Sequence, residues 1–434
     1  MPEETAKSEN VFRSRNFRLV FLGALVSELG ALLYSFAVSF YILEISGNNA
    51  FLQGLYLALC GGVCLVLTPL GGVLGDRWNK ARIMFVCDYL KGGVILLATG
   101  FMALFRAPGV QVIILFITGI LGSAVSGIFS PASAALLPHI VEEDRLQQAN
   151  SYFTVKSSLQ AILGIVLAGI LYAAVSIYVL FALVGVCYVL SGVSEMFIRY
   201  AHVVPEEKLS LRLVLGDMGD GFRYLRTQKA IMALMIAILF INFFFEPISG
   251  NFIPYFVKTD IAGAPAYLFS RLLTPELWSS VFSVLLGFSS LAGAVILSAR
   301  QQAEKCGRTT ALLLCAMAAT IICLTLGYWL LVARGISLNG FLLLLCAGSL
   351  LTGLLVTSIN IPVSTALMRV VDRDKLSKVT SIVSVLSQGL TPIAAVLAGV
   401  VLQCWGSTLL LLICAAGFTA AALFLLFNRS AKEI

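Results

Sequence analysis

Charge is scarce in this chain. Of 434 residues only 12% are charged, about half the share of a soluble domain, while 59% are hydrophobic. Mean hydropathy is +0.97. So little charge cannot coat a soluble body of 46.5 kDa, and disordered chains are far poorer in apolar residues. Histidine is scarcer still: His139 and His202 are the only two, which excludes a metal site built of several imidazoles. The ten cysteines lie scattered, nearly all within apolar runs, with no C-x-x-C pair. They read as small hydrophobes rather than disulfides or metal ligands. No long basic block or aromatic-basic alternation points to nucleic acid. No G-x-S-x-G, H-E-x-x-H or G-x-x-x-x-G-K-[ST] is present, so neither an enzyme nor a nucleotide-driven pump is expected, and no cofactor or metal.

What is present is a series of continuous apolar runs, unlike the alternating strands of a membrane β-barrel. Bounded by charges, Pro or Gly, they fall at about 17–43, 51–75, 82–105, 110–138, 150–174, 176–198, 230–257, 279–300, 309–333, 338–361, 379–403 and 406–428. These lengths suit bilayer-spanning helices. The expected fold is an all-α membrane protein of twelve transmembrane helices. The first run is too long for a signal-peptide core and reads as an uncleaved span. The longest polar stretch separates two halves of six spans, giving an N-terminal bundle over 1–198, a cytoplasmic linker over 199–229 and a C-terminal bundle over 230–434. With the N-terminus inside, cytoplasmic segments hold 23 Lys and Arg and the outer loops four: Arg106, Lys258, Arg271 and Arg334. That asymmetry places both termini in the cytoplasm of a bacterial-type inner membrane.

The halves repeat. Pro131-Ala-Ser-Ala-Ala-Leu-Leu-Pro-His-Ile-Val-Glu-Glu-Asp-Arg-Leu146 resembles Pro362-Val-Ser-Thr-Ala-Leu-Met-Arg-Val-Val-Asp-Arg-Asp-Lys-Leu376, and Val166-Leu-Ala-Gly-Ile170 matches Val396-Leu-Ala-Gly-Val400. Both matches join a fourth span to a fifth in the same orientation. Parallel repeats of six helices are a transporter design, with the substrate site between the halves near the midplane.

The loop after span 2 reads Gly71-Gly72-Val-Leu-Gly-Asp76-Arg77-Trp-Asn79-Lys80-Ala-Arg82. It resembles the major facilitator superfamily signature G-x-x-x-D-R-x-G-R-R. Gly72, Asp76 and Arg77 match, Lys80 keeps a base, Arg82 is a displaced one, and Asn79 stands for the later glycine as a residue tolerant of left-handed backbone. The resemblance implies that span 2 packs closely on a neighbour and that Asp76 with the bases latches the halves. Asn16-Phe-Arg-Leu, Tyr41-Ile-Leu-Glu-Ile-Ser-Gly47 and Leu137-Pro138 resemble the branch of macrolide-type drug exporters and the enterobactin exporter. Two features depart from the pattern. The loop 299–308 echoes the signature weakly, and span 5 carries Gly164 and Gly169 without the Gly-Pro pair of antiporters.

Ionisable groups deep in a span usually face a cavity or a partner. Glu28 and Glu246 lie near the middle of spans 1 and 7, equivalent helices of the repeat. A carboxyl there can hold a proton or a cation and exchange it when the cavity changes sides. Asn242, Glu246 and Ser249 share a face at i, i+4 and i+7, next to Pro247, which can break the helix. Phe243, Phe244 and Phe245 flank them, with most expected on the lipid face. Ser35 and Ser39 share the face of Glu28. Ser123, Ser126, Ser130 and Ser133 stripe span 4, Ser377, Ser381, Ser384 and Gln388 open span 11, and Thr357 and Asn360 pair on span 10. The family resemblance implies that spans 1, 4, 7 and 10 line the central cavity. Asp88 and Lys91, at i and i+3 on span 3, are expected to form a structural ion pair with each other or with the Asp76 cluster. Lys156 and Glu195 read as structural residues near cytoplasmic ends. Leu268 to Leu273 could form a short interfacial helix.

The expected function is secondary transport: export of a small amphipathic, drug-like compound by proton antiport with alternating access. The partners are then that substrate, protons and membrane lipid, for a monomeric protein that does not bind nucleic acid. A lysophospholipid flippase or siderophore exporter is the alternative, and a ligand-binding sensor without net transport is the rival of another class.

Overall fold

A computed structural model of the chain describes residues 11–142, 145–200, 216, 223, 229–263, 273–298, 306–370 and 388–427. The expected linker over 199–229, the stripe Ser377, Ser381 and Ser384, and the expected interfacial helix lie wholly or mostly outside these residues. Among the described residues there is no strand.

Where they are described, the apolar runs form helices. These are α1 (Arg15–Ile45), α2 (Ala50–Arg77), α3 (Lys80–Leu104) and α4 (Pro108–Ile140). α5 runs from Leu146–Leu159 through a π turn, Gln160–Gly164, into Ile165–Ala174, and α6 is Ile177–Met196. α7 runs from Lys229–Glu246 through Pro247–Phe252, Ile253–Phe256 and Val257–Ile261, the first and last of these being π turns. α8 (Pro275–Ser298), α9 (Cys306–Val332), α10 (Leu338–Val370), α11 (Thr391–Trp405) and α12 (Ser407–Phe427) complete the chain. Eleven of these are long and apolar enough to cross a membrane, and α11 is a shorter apolar helix of 15 described residues.

Short polar residues start several of the helices. Asn49 Oδ1 accepts from Leu52 N at 3.1 Å, and Asn79 Oδ1 accepts from Arg82 N at 3.2 Å. Asn79 is thus the cap of α3, with φ −61° and ψ 112°. It is not the left-handed residue that its place in the signature suggested. Ser176 caps α6 after Val175 leaves α5 in extended backbone, so the break after residue 174 is real.

Within the first six helices α2 packs on α4, and α3 on α6 and α4, while α1 lies against α6. Within the last six, α8 packs on α10, and α9 on α12 and α10. α2 meets α4 where Gly71 lies on the backbone of Gly127 and Ile128, so a side chain at Gly71 would collide there. Gly72, the glycine matched to the signature, has nothing within 4 Å of an added side chain. The close approach expected of the glycines in this motif is therefore made by Gly71, and Gly72 lies one residue and about 100° away round the helix.

The two groups of helices meet along two seams, α2 on α11 and α5 on α8. The α2–α11 seam is backbone against backbone: a side chain at Gly54 would strike the Ala395 carbonyl, and one at Gly399 would strike the Ala50 carbonyl. Ala50 N donates to Gln403 Oε1 at 2.9 Å, and Gln53 Nε2 donates to the Gly250 carbonyl at 3.1 Å. In the other seam Ser280 Oγ donates to the Ile165 carbonyl at 3.0 Å, beside Gly169. All these contacts lie towards one end of the molecule, which carries the turns after α1, α3, α5, α7, α9 and α11. We call it the distal end.

Candidate functional site

α7 is interrupted where its acid sits. Pro247 has no N–H to donate, and the backbone answers with a π turn over Pro247–Phe252. Glu246, the last α-helical residue before it, faces a cavity of about 320 Å³ between α2, α7 and α11. Its walls are Leu57 and Gly61 of α2, Asn242 and Phe245 of α7, and Gln388, Thr391, Pro392 and Ala395 at the start of α11. Gly61 lets Pro392 approach, since a side chain there would lie 3.2 Å from its ring. No ion pair joins Glu246 to a described residue. Its carboxyl lies over Gly250, in space a side chain there would occupy.

The π turn also divides the expected polar face. Asn242 and Glu246 share the acid cavity, but Ser249 does not reach it. The wide turn advances the register, and Ser249 instead lines a second cavity of about 90 Å³ inside the last six helices, with Phe282, Leu324 and Leu345. Its hydroxyl donates to the Phe245 carbonyl at 3.2 Å. Phe245 borders both cavities. Phe244 packs on α12, with its ring centroid 6.5 Å from that of Phe418 and its edge over Gly417. All three phenylalanines are partly buried; Phe244 and Phe245 face inward, against the expectation that most of them face lipid.

Glu28 is in a different setting. Lys156 of α5, whose side chain is 1% exposed, places its Nζ directly on Glu28 Oε1 and lies 4.8 Å above the Phe153 ring. Lys156, expected as a structural residue near a cytoplasmic end, is the buried counter-ion of Glu28. Glu28 is half exposed and does not line the Glu246 cavity. Ser35, Ser130 and Asn360 are exposed on α1, α4 and α10. Ser35 and Ser126 turn their hydroxyls back to carbonyls of their own helices, Leu32 and Gly122. The side chains of Asp76 and Arg77 lie outside the described residues. Lys80 is buried and its backbone N–H donates to the Tyr200 hydroxyl at 2.7 Å, while Arg82 is exposed.

Asp88 and Lys91 are both buried, but they do not close an ion pair with each other or with another described residue. Lys91 points instead between two rings, its Nζ 5.1 Å from the centroid of Phe129 and 5.3 Å from that of Tyr188. The i, i+3 spacing sets the two side chains on neighbouring flanks of α3, and the rings hold the longer one away.

A distal cluster escaped the sequence reading. Lys258 of α7 donates to Glu44 of α1 and to Glu276 of α8, each at 3.0 Å. The Tyr172 hydroxyl of α5 donates to the same Glu44 oxygen at 3.0 Å. The Lys258 ammonium also lies 5.5 Å from the Tyr172 ring centroid and 6.0 Å from that of Phe40. One lysine of the second half is thus held by an acid and two rings of the first. Spacing could not have found it, because the four helices come from four separate runs.

Twelve apolar helices in two bundles, closed on each other at one end around a cavity with an acid that no described residue pairs, define a polytopic membrane transporter. A profile of the Major Facilitator Superfamily matches residues 20–300, and the chain belongs to that family. Among its relatives, the uncharacterized MFS-type transporter YkuC of Bacillus subtilis is 24% identical over 66% of this chain and 65% of its own length. Macrolide efflux protein A of Streptococcus pyogenes is 25% identical over 58% of this chain and 61% of its own. The chain thus spans somewhat under two thirds of the length of either relative. The fold is also that of the nucleoside transporter NupG in the crystal structure of a point mutant, with a TM-score of 0.74 at 11% identity, covering 95% of this chain and all of the other.

Proposed function

We propose that the protein exports a small amphipathic, drug-like compound from a bacterial-type cell, by proton antiport and alternating access about the α2–α7–α11 cavity. The observation that carries this reading is Glu246: a carboxyl inside the helix bundle, without an ion pair among the described residues, facing a cavity between the two halves. A protonated amine or a proton satisfies it equally well, and one site that holds either can exchange them. The apolar walls, Leu57, Phe245 and Pro392, suit the rest of such a substrate. The distribution of Lys and Arg supports an orientation with the termini in the cytoplasm and the distal end outside. The described seams then close the outer side, as in an inward-facing state. Export by the macrolide efflux relative is consistent with this direction.

The test uses proteoliposomes carrying a pH gradient, challenged with lipophilic cations, macrolides, siderophores and lysolipids. A ligand-triggered proton flux is expected, and Glu246→Gln should abolish it while leaving the thermal midpoint unchanged, because no ion pair is lost. Ligand movement without proton flux, unchanged in that variant, overturns the coupling. Ligand binding with no movement favours a sensor.

A further inference from the structure

Away from the central cavity, the first bundle buries a second set of charges. Asp88 and Lys91 of α3 and Glu195 of α6 are 0%, 8% and 0% exposed. All four carboxylate oxygens of Asp88 and Glu195 are buried and accept no hydrogen bond from a described residue. Ser191, one turn before Glu195, directs its single proton to the Gly23 carbonyl of α1 at 2.9 Å. The Glu195 side chain packs over Gly23 as well, at 3.2 Å from where a side chain would begin. The lysine spends itself on the rings of Phe129 and Tyr188. Among the described residues, the other titratable groups facing the cluster are Cys87 of α3, Tyr188 of α6 and Cys64 of α2, all neutral in their ordinary forms at neutral pH.

The charge count does not close. Among the described residues, two carboxylates and one ammonium leave one negative charge uncompensated, in a place where an unpaired charge is strongly disfavoured. Four orphaned acceptors and one missing positive charge describe the same deficit twice. We propose that Asp88 and Glu195 form a binding site for one monovalent cation, a proton or an alkali-metal ion, inside the N-terminal bundle and separate from the Glu246 cavity. The site goes beyond the transport reading above, since it needs neither a substrate nor flux. Gly23, its floor, lies on the helix that carries Glu28, so occupancy of the cluster and the setting of α1 are mechanically joined.

The experiment measures the unfolding constant of the purified full chain by SDS titration in mixed micelles, at a series of pH values between about 6 and 9. If the folded site holds a proton that the unfolded carboxyls have released, stability falls as pH rises, by roughly tenfold in the constant per pH unit for one proton. Asp88→Asn and Glu195→Gln each remove the charge deficit, so each should lose that share of the slope. Lys91→Met deepens the deficit, so its slope should steepen by roughly another tenfold per unit. Sodium chloride against choline chloride at the alkaline end separates the occupants. Stabilisation of the wild type but not of Glu195→Gln assigns the alkali ion, and no difference assigns the proton. Wild-type slopes and salt responses in both acid variants overturn the site, whatever their stability. Should one variant fail to fold, the other and Lys91→Met carry the same comparison. The infrared band of a protonated carboxyl, present in the wild type and missing in the variant, reads the proton directly.

Discussion

Lys258 holds the distal ends of the two halves together, and replacing it with Met should open them. Its cross-half partners are Glu44, 54% exposed, and the rings of Phe40 and Tyr172. An ion pair with one exposed partner contributes about 0.5–1 kcal/mol after screening. A partly covered ammonium over aromatic rings contributes about 1 kcal/mol. Together these favour closure by about 2 kcal/mol, or roughly 30-fold in the closed-to-open ratio. Loss of the lysine also leaves Glu276, 15% exposed, without its cation, and opening relieves that by admitting water. The same sign follows from both effects. Spin labels at Arg106 and Ala333, on the turns after α3 and α9, would measure the distance across the distal face by electron double resonance, in a protein whose native cysteines have been replaced. Lys258→Met should move population to the longer distance, Glu44→Gln should do so several-fold less, and high salt should partly mimic Glu44→Gln. An unchanged distribution in Lys258→Met, or one shifted to shorter distances, refutes the latch.

Gly54→Ala should weaken the α2–α11 seam by about 1–3 kcal/mol through overpacking against the Ala395 carbonyl, and the same label pair should report opening. Gly62→Ala, where an added side chain meets nothing within 4 Å, should leave both distance and thermal midpoint unchanged. In the Glu28–Lys156 pair, Glu28→Gln should destabilise more than Lys156→Met, because it strands a lysine that is 1% exposed rather than a carboxylate that is half exposed. The double variant should recover about 1 kcal/mol relative to additivity in a thermal-melt cycle, and full additivity would contradict the pairing.

Hydropathy and charge made most of the fold legible, because a bilayer forces each span to be long, apolar and internally hydrogen-bonded. The family signature and the repeat tied the spans into two bundles. The site was legible where one helix decides it: Asn242 and Glu246 do share a cavity. It failed where neighbours decide. Ser249 left that face because Pro247 turned the helix into a π turn, a register change that i, i+4, i+7 counting does not contain. Lys156 was assigned to the end of its run because nothing in span 5 reveals that Glu28 of span 1 stands opposite. Phe244 is aromatic on a membrane helix, but only Gly417 on α12 shows that it points inward. Asn79 was matched to a glycine by alignment, whereas its own side chain caps α3.

The α2–α11 seam has a consequence for how the halves separate. Two helices joined by interlocking leucines would gain much from staying together. Here glycines bring the backbones into contact and amides make the bonds, yet the seam is left incomplete. Gln53 Oε1 and Asn251 Oδ1 are buried in it without a hydrogen-bond donor among the described residues. Each such acceptor costs about 1–3 kcal/mol while dry and regains a partner as soon as water enters. The closed seam therefore carries its own release, much as a spring-loaded catch does.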